Sequence, residues 1–176
     1  MNDWNHFIRE LNTENHPEIT LGPWTGATRF SDADLEYEAA RAGAALHDRS
    51  YRGLLEIGGR DRAEWLHNLT TNDVKALQPG RGQYAFAVNI KGRILFDMNI
   101  LARPDSIWVD IDRRWAAAAQ AHFAKYTIVE DVTVTDRGHD FIRLALTGSD
   151  VPNVLTGLGA PPVGDLKPLQ FERLSV

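Results

Sequence analysis

Hydrophobic and polar residues alternate with clear periods between residues 54 and 101, and this stretch organises the chain. It predicts a strand, a helix, a turn and a β-hairpin, in that order. The helix is expected to run from about Asp61 to Leu69, because apolar residues recur there at helical spacing. Asp61 and Glu64 also have the spacing of a capping box, which predicts a side-chain cap at the start of this helix.

A strand and a helix are predicted directly after the hairpin. Residues 106–111 alternate sharply, which is typical of a strand that buries Ile107, Val109 and Ile111 on one face. Asp112 is expected to cap the following helix. The inward stripe of that helix is predicted to consist of Trp115, Ala119, His122, Phe123 and Tyr126.

The last quarter of the chain carries shorter patterns. Residues 131–135 and 141–146 predict two further strands, and a last helix is expected from about residue 149 to residue 157. Residues 169–176 alternate like the start of a strand that lacks a neighbour. This edge is expected to self-associate or to dock a missing half of the protein.

The first fifty residues are less regular. Residues 4–11 predict a short amphipathic helix, and residues 17–30 predict an irregular arm around Gly22 and Pro23. Ser31 is expected to cap a helix that ends at Gly43. The apolar face of this helix and of the residues after it is predicted to hold Leu35, Ala39, Ala42 and Leu46.

Composition excludes several classes of site. With 43% hydrophobic and 24% charged residues the chain is typical of a globular protein. It contains no cysteine, which excludes disulfides, thiolate nucleophiles and cysteine-bound metals, and its six histidines lack metal-ligand spacing. No apolar run approaches the roughly 20 residues of a membrane helix, and the N-terminus lacks the pattern of a signal peptide. We therefore expect a cytoplasmic protein without a metal site or membrane contact.

Charge is distributed unevenly along the chain. The formal net charge is −5, yet residues 51–103 carry eight basic and five acidic side chains. An anionic ligand is one interpretation of this excess, and scattered surface cations are the other. We expect no direct nucleic-acid binding. His47 and Asp48 are interpreted as part of a cap or surface loop, because no serine or second histidine has triad spacing. The basic candidates for a ligand are Arg60, Arg62, Arg81, Lys91 and Arg93.

Several motifs in the organising stretch and beyond it belong together. They are Gly-x-Asp-x-x-x-Trp-Leu at residues 59–66, Leu-Thr-Thr-Asn-Asp-Val at 69–74, Gly-Gln-Tyr at 82–84, Asn-x-x-Gly-Arg-Ile-Leu-x-Asp at 89–97, and the segments 125–136 and 144–148. In this order they resemble the folate-binding aminomethyltransferase superfamily, which includes the glycine-cleavage T-protein and its YgfZ-type relatives. The resemblance covers roughly residues 44–155.

The resemblance also implies a fold. The order of the elements alone predicts an α+β fold, in which an antiparallel sheet is covered by two helices. The resemblance implies that residues 51–136 form a ferredoxin-like lobe, and that residues 1–50 and 137–176 belong to a first lobe. In the family these are two of three lobes around a channel in which tetrahydrofolate lies. Full-length relatives are longer, so we expect either a truncated product or a second polypeptide that supplies the other half.

Two functions follow from the resemblance, and both use tetrahydrofolate. In the T-protein, an aspartate near the reacting folate nitrogen can orient the amine and accept its proton, and Asp97 occupies the matching position. The family's pair of adjacent acids is replaced here by Phe96 and Asp97. This loss favours a YgfZ-type folate-binding scaffold that supports iron–sulfur proteins and tRNA modification. The alternative is an aminomethyltransferase, and whether the chain is an enzyme stays open.

Tyr84 matches a tyrosine that contacts the pterin in the family, but it is also a candidate for the core. A two-residue turn in the hairpin places Tyr84 directly opposite Asp97. A type I turn with Gly92 in a left-handed position shifts the pairing by one residue and separates them. Asp97 shares its strand face with apolar neighbours, so its carboxylate is expected to need a partner from the protein or a ligand.

Overall fold

The computed structural model describes residues 16–160 and 166–172. The helix predicted within residues 4–11 and the last four residues of the tail lie outside this part of the chain. The described residues fall into two compact units. The sheet unit comprises Arg52–Gly138 and Lys167–Glu172, and the terminal unit comprises the described parts of Met1–Tyr51 and His139–Leu166.

The helices and strands follow the order that the sequence predicts from residue 54 onward. Within the described residues they are β1 (Glu18–Leu21), β2 (Trp24–Ala27), α1 (Ala33–Ala42), β3 (Ala45–Asp48), β4 (Arg52–Gly58), α2 (Arg62–Leu69), β5 (Gly82–Val88), β6 (Ile94–Ala102), β7 (Ile107–Asp112), α3 (Arg113–Ala124), β8 (Thr133–Asp136), β9 (Leu144–Thr147) and α4 (Val151–Gly157).

The sheet unit is built on an antiparallel sheet with the strand order β5-β6-β7-β4-β8. One face of the sheet packs against α2 and α3. The predicted α+β fold, an antiparallel sheet with two covering helices, is confirmed. The opposite face, which we call the polar face, carries Arg52, Glu56, Tyr84, Phe86, Asp97, Asn99, Trp108 and Asp110.

Strand alternation decides which side chains enter the core between the sheet and the helices. In β6, Met98 and Ile100 are fully buried, while their neighbours on the polar face stay partly exposed. The predicted burial of Ile107, Val109 and Ile111 in β7 is confirmed. The helices contribute Trp65, Leu66, Ala116, Ala119 and Phe123 to the same core.

The start of α2 differs from the prediction. Asp61 precedes the helix, but its side chain makes no capping hydrogen bond. Instead, Asp61 Oδ2 accepts a hydrogen bond from the backbone N–H of Asp131, at 2.8 Å. The capping-box prediction is wrong because this carboxylate holds the loop before β8, which leaves it unavailable for the first turn of α2.

The predicted cap of α3 is confirmed, and its predicted inward stripe is corrected in part. Asp112 accepts a hydrogen bond from the backbone N–H of Arg114. Phe123 is fully buried, whereas Trp115 is 46% exposed and Tyr126 lies at the surface as well. Small side chains at Ala116 and Ala119 let this helix approach the sheet closely, so the bulky aromatic residues lie at its margins.

Burial lowers the pKa of His122 in α3, and the nearby charge of Lys125 acts in the same direction. The imidazole packs against Phe96, Phe123 and Tyr126, and its Nε2 is buried without a hydrogen-bond partner in the described part of the chain. The folded state therefore disfavours the protonated ring. Its contribution to the free energy of unfolding is complete above the unfolded pKa of about 6.5 and declines as pH falls below that value.

We therefore expect the urea concentration at the midpoint of unfolding to decrease as the pH is lowered from about 7 to about 5. A His122→Phe variant keeps an aromatic ring but cannot take up a proton, so its midpoint should change less over this range. Equally steep pH dependence in the two proteins would argue against a neutral, buried His122.

The terminal unit begins with a β-hairpin where the sequence predicted an irregular arm. β1 and β2 pair antiparallel, and Leu21 faces Trp24 across a two-residue loop. Gly22 has a φ of +61° in the first loop position. A type II′ hairpin requires such a glycine, so the Gly22-Pro23 pair closes a hairpin and does not prevent strands.

Helix α1 is capped by Asp32 rather than by the predicted Ser31. Asp32 Oδ1 accepts from the backbone N–H of Asp34, and Glu36 accepts from the backbone N–H groups before the helix. The predicted inward face is also corrected, because Leu35 is 67% exposed and none of the α1 side chains is fully buried. Strands β3 and β9 form a second small antiparallel sheet in this unit.

The tail does not form the predicted strand between residues 169 and 172. Leu169 has a φ of +60°, which is a turn conformation and interrupts an extended chain. The backbone N–H of Phe171 then donates to the carbonyl of Gly80 at 3.1 Å. The self-association expected through this tail stays a prediction. No helix in the described residues combines the length and apolar character needed to cross a membrane.

Candidate functional site

The β5–β6 hairpin carries both residues that the sequence assigns to a ligand site. Its turn is the type I form, because the backbone N–H of Gly92 donates to the carbonyl of Asn89 at 2.8 Å and Gly92 has a φ of +72°. This turn shifts the register by one residue, as expected. A β-bulge opposite the Ala87–Val88 step shifts it by one residue more.

The two shifts together bring Tyr84 and Asp97 to the same face of the sheet. Tyr84 pairs with Asn99, and Asp97 pairs with Phe86, so Tyr84 and Asp97 are diagonal neighbours. The Tyr84 hydroxyl donates to Asp97 Oδ2 at 2.9 Å. The expected separation of these residues by a type I turn is therefore wrong. The turn alone would put Tyr84 and Asp97 on opposite faces of the sheet, and the second shift, at the bulge, returns them to the same face.

Tyr84 is a surface residue and not part of the core. Its side chain is 47% exposed, and its ring lies edge-on to Phe86 with the ring centres 5.1 Å apart. The hydrogen bond to the Asp97 carboxylate raises the pKa of the Tyr84 phenol above its ordinary value. The pair thus presents an aromatic surface, a hydroxyl and a carboxylate side by side.

This arrangement makes a prediction that needs no ligand. Because the phenol donates a hydrogen bond to the Asp97 carboxylate, Asp97→Asn should return the pKa of Tyr84 toward the ordinary tyrosine value. The change is measured by NMR titration of a ¹³C-labelled tyrosine side chain. An unchanged Tyr84 titration in the variant would mean that the two side chains do not interact in solution.

Phe96, which takes the place of the second acid of the family pair, points to the opposite side of the sheet from Asp97. It is buried in the core, where its ring contacts Phe123 and His122. Adjacent residues of a strand face opposite sides. The side chain at position 96 therefore lies on the opposite side of β6 from Tyr84 and Asp97.

A second polar group lies next to Tyr84 and Asp97 on the polar face. Arg52 Nε donates to Asp110 Oδ1 at 2.8 Å, and both side chains are largely buried, with 16% and 17% of their surface exposed. Asn99 Nδ2 donates to the other oxygen of the same carboxylate, Asp110 Oδ2, at 3.1 Å. The ion pair is thereby connected to β6 beside Asp97.

The far side of the polar face is organised around Glu56. Arg137 Nε donates to Glu56 Oε2 at 2.9 Å, and this hydrogen bond is the main reason that the pKa of Glu56 is lowered. Trp108 Nε1 donates to Glu56 Oε1, and the guanidinium of Arg103 lies over the Trp108 ring at 4.0 Å. A cleft of about 370 Å³ opens beside Glu56, Arg103 and Arg137.

Sequence reasoning missed Arg52, Glu56 and Asp110, although each occupies a polar position in an otherwise apolar strand. That alternation was a signal that polar residues line one face. By contrast, three of the five basic residues proposed for an anionic ligand have separate side-chain partners. Arg60 pairs with Asp131, Arg62 donates to two backbone carbonyls and Arg81 bonds Gln170. Lys91 and Arg93 lie in the hairpin turn.

His47 and Asp48 have local structural roles within the terminal unit. His47 Nε2 and Thr147 Oγ1 are 2.6 Å apart, and Asp48 Oδ1 accepts from the backbone N–H of Ser50 at 2.8 Å. The first contact joins β3 to β9, and the second lies in the loop that follows β3. Across the described residues, no group of three or more histidine, aspartate or glutamate side chains is arranged to hold a metal ion.

Three comparisons show which known proteins this chain resembles. The sequence model of the protein family described as the GCVT N-terminal domain matches residues 11–173. The aminomethyltransferase of Bacillus subtilis (strain 168) is 30% identical over 153 residues, which are 87% of this chain and 42% of that protein. The aminomethyltransferase of Geobacillus kaustophilus (strain HTA426) is 31% identical over 155 residues, with the same two coverages.

A solved structure shows the same fold. The glycine cleavage system aminomethyltransferase T from Bartonella henselae superposes with a TM-score of 0.81 at 21% identity, over 94% of this chain and 45% of that protein. The chain thus spans less than half the length of the curated relatives and the structure described here. From the match over residues 11–173, the chain belongs to the family of the GCVT N-terminal domain.

Proposed function

We propose that this chain is the tetrahydrofolate-binding N-terminal part of an aminomethyltransferase. The observation that carries the proposal is the hydrogen-bonded pair of Tyr84 and Asp97 on the polar face, 2.9 Å apart. Tetrahydrofolate would supply two N–H groups whose nitrogens take up the methylene carbon of an S-aminomethyl donor, while their hydrogens leave with the amino group as ammonia and with the sulfur as a thiol. The relatives named above are aminomethyltransferases, which supports the same reading.

The chemistry of the side chains fits a flat, nitrogen-rich ring. Asp97 Oδ2 accepts from Tyr84, and no described residue bonds the other carboxylate oxygen, which can therefore accept from an N–H of a ligand. Tyr84 and Phe86 offer aromatic surface beside it. A carboxylate next to one exposed and one partly buried aromatic ring is a suitable set of contacts for a reduced pterin.

Within this proposal Asp97 has two tasks. It orients the folate amine by accepting a hydrogen bond from its N–H, and it offsets positive charge as a bond forms at that nitrogen. In the described part of the chain, Asp97 has no arginine or lysine partner that would neutralise it first. Tyr84 holds the carboxylate in position through its hydroxyl.

The aminomethyltransferase alternative is favoured over the YgfZ-type scaffold. The main argument for the scaffold was the missing acid at residue 96, yet that side chain lies in the core on the other side of the sheet. The relatives and the solved structure described above carry the name aminomethyltransferase. They give no support to roles in iron–sulfur maintenance or tRNA modification.

NMR chemical-shift mapping tests where the folate binds. In a ¹⁵N-labelled chain, tetrahydrofolate is expected to shift the amide signals of Tyr84, Asp97 and Asn99 more than those of α2 and α3. Shifts that occur elsewhere and spare the β5–β6 hairpin would refute the proposed site. Transfer itself is tested with an aminomethyl-loaded lipoyl carrier as the donor, where formation of a one-carbon-loaded folate by this chain supports the transferase over the scaffold.

A further inference from the structure

Asn99 lies at the centre of the site, and only the NH₂ group of its amide is used within the described part of the fold, as a donor to Asp110. It is directly opposite Tyr84 and two residues from Asp97 on the same strand face. The Cα atoms of residues two apart in a strand are roughly 7 Å apart, so Asp97 and Asn99 can contact one small ligand together. The side chain of Asn99 is half-buried.

The orientation of the Asn99 amide is determined by Asp110. A carboxylate only accepts hydrogen bonds, so the NH₂ group of Asn99 must face Asp110 Oδ2, at 3.1 Å. Asp110 is itself fixed, because Arg52 donates both to its Oδ1 and to its backbone carbonyl, at 2.8 and 3.0 Å. Arg52 and Asp110 are thus positioning residues for the amide.

This orientation leaves the amide oxygen as an available acceptor. The NH₂ group points toward β7, so Oδ1 points away from Asp110, and none of the described residues donates to it. The oxygen belongs to the same strand face as the Asp97 carboxylate. Two acceptors side by side suit a ligand that presents N–H groups and disfavour one that presents bare ring nitrogens.

We propose that Asn99 is a further ligand-binding residue, and that its Oδ1 accepts a hydrogen bond from a ring N–H that tetrahydrofolate carries and oxidised folate lacks. This inference rests on the proposed function. In the reduced pterin, N5 and N8 each carry a hydrogen, whereas in the oxidised ring both nitrogens present lone pairs. An oriented oxygen gains a hydrogen bond with the first ring and meets lone-pair repulsion with the second.

Asn99 therefore determines specificity for the reduced ring. Leucine has a shape close to that of asparagine but cannot accept a hydrogen bond, which makes Asn99→Leu the direct variant. Its affinity for tetrahydrofolate is expected to fall about tenfold, the effect of one lost hydrogen bond. Its affinity for folic acid should stay the same or rise, because the lone-pair repulsion is removed as well, so the preference for the reduced form falls at least about tenfold.

The experiment measures the dissociation constants of tetrahydrofolate and folic acid for the wild-type chain and three variants. Asn99→Leu removes the acceptor, and Asn99→Ser shortens the side chain without adding apolar bulk, so both should lower the preference. Asn68→Leu is the matched control, because it makes the same change at an exposed position on α2. Melting temperatures establish that each variant is folded.

Each outcome decides the inference. A lowered preference in both Asn99 variants, with an unchanged preference in Asn68→Leu, supports it. If wild type binds tetrahydrofolate and both Asn99 variants keep the wild-type preference, Asn99 does not select the reduced ring, while the proposed folate site stands. If the folded wild-type chain binds neither folate, the proposed function fails and the inference fails with it.

Discussion

Replacing Asp97 with asparagine is expected to weaken tetrahydrofolate binding by about 1.5–3 kcal/mol, the range for a hydrogen bond to a charged group. The asparagine keeps the shape of the side chain but loses the charge and one of the two acceptor oxygens. The fold should be retained, because the described contacts of Asp97 comprise one hydrogen bond to an exposed tyrosine and no ion pair. Fluorescence titration of the variant and wild type measures the change.

A matched variant separates a site effect from a general effect of charge. Asp34→Asn removes the same charge from an exposed position in α1 of the terminal unit and should leave folate affinity unchanged. If Asp97→Asn instead lowers the melting temperature and leaves folate affinity at the wild-type value, Asp97 is a structural carboxylate. It would then no longer belong to the proposed site.

Replacing Gly59 with alanine is expected to destabilise the sheet unit by about 3 kcal/mol or more. Gly59 has a φ of +98°, which costs any residue with a Cβ conformational energy. A Cβ here would also overlap the carbonyl oxygen of Asp131 and lie 2.6 Å from its carbonyl carbon. The loop before β8 would have to move, although it is held by Asp61 and Arg60.

Gly92 provides the control for this variant. It also has a positive φ, +72°, but no heavy atom lies within 4 Å of a Cβ built there, apart from its immediate neighbours. Gly92→Ala should therefore cost only the conformational part, about 1–2 kcal/mol. Urea unfolding measures both variants. Equal losses at the two positions would show that the contact with Asp131 contributes nothing.

Most of the sheet unit could be predicted from local patterns. The strand at β7 and the cap of α3 depend on strict alternation and on one aspartate, so neighbouring residues determine them. Helix caps were less predictable where a long-range contact competes for the same side chain. Asp61 has the correct spacing for a capping box, but a backbone N–H seventy residues later in the chain takes its carboxylate.

The two site residues were found by resemblance, whereas their geometry required the structure. The turn sequence correctly indicated a one-residue shift, yet the bulge after Ala87 adds a second shift that no local motif announces. Each turn or bulge shifts the pairing of the two strands by one residue, and the shifts add. A single missed bulge therefore assigns the side chains of one strand to the wrong face of the sheet. The role of Asn99 was hidden for a related reason, because it depends on the ion pair between Arg52 and Asp110 on two other strands.

Isothermal titration calorimetry of the chain with tetrahydrofolate is the most direct test of the central claim, which is that the polar face of the sheet unit binds a reduced folate. We predict a saturable heat with one-to-one stoichiometry, and a markedly weaker signal from Asp97→Asn under the same conditions. A folded wild-type chain that gives no binding heat at concentrations up to about 1 mM, where even affinities near −4 kcal/mol become measurable, would contradict it.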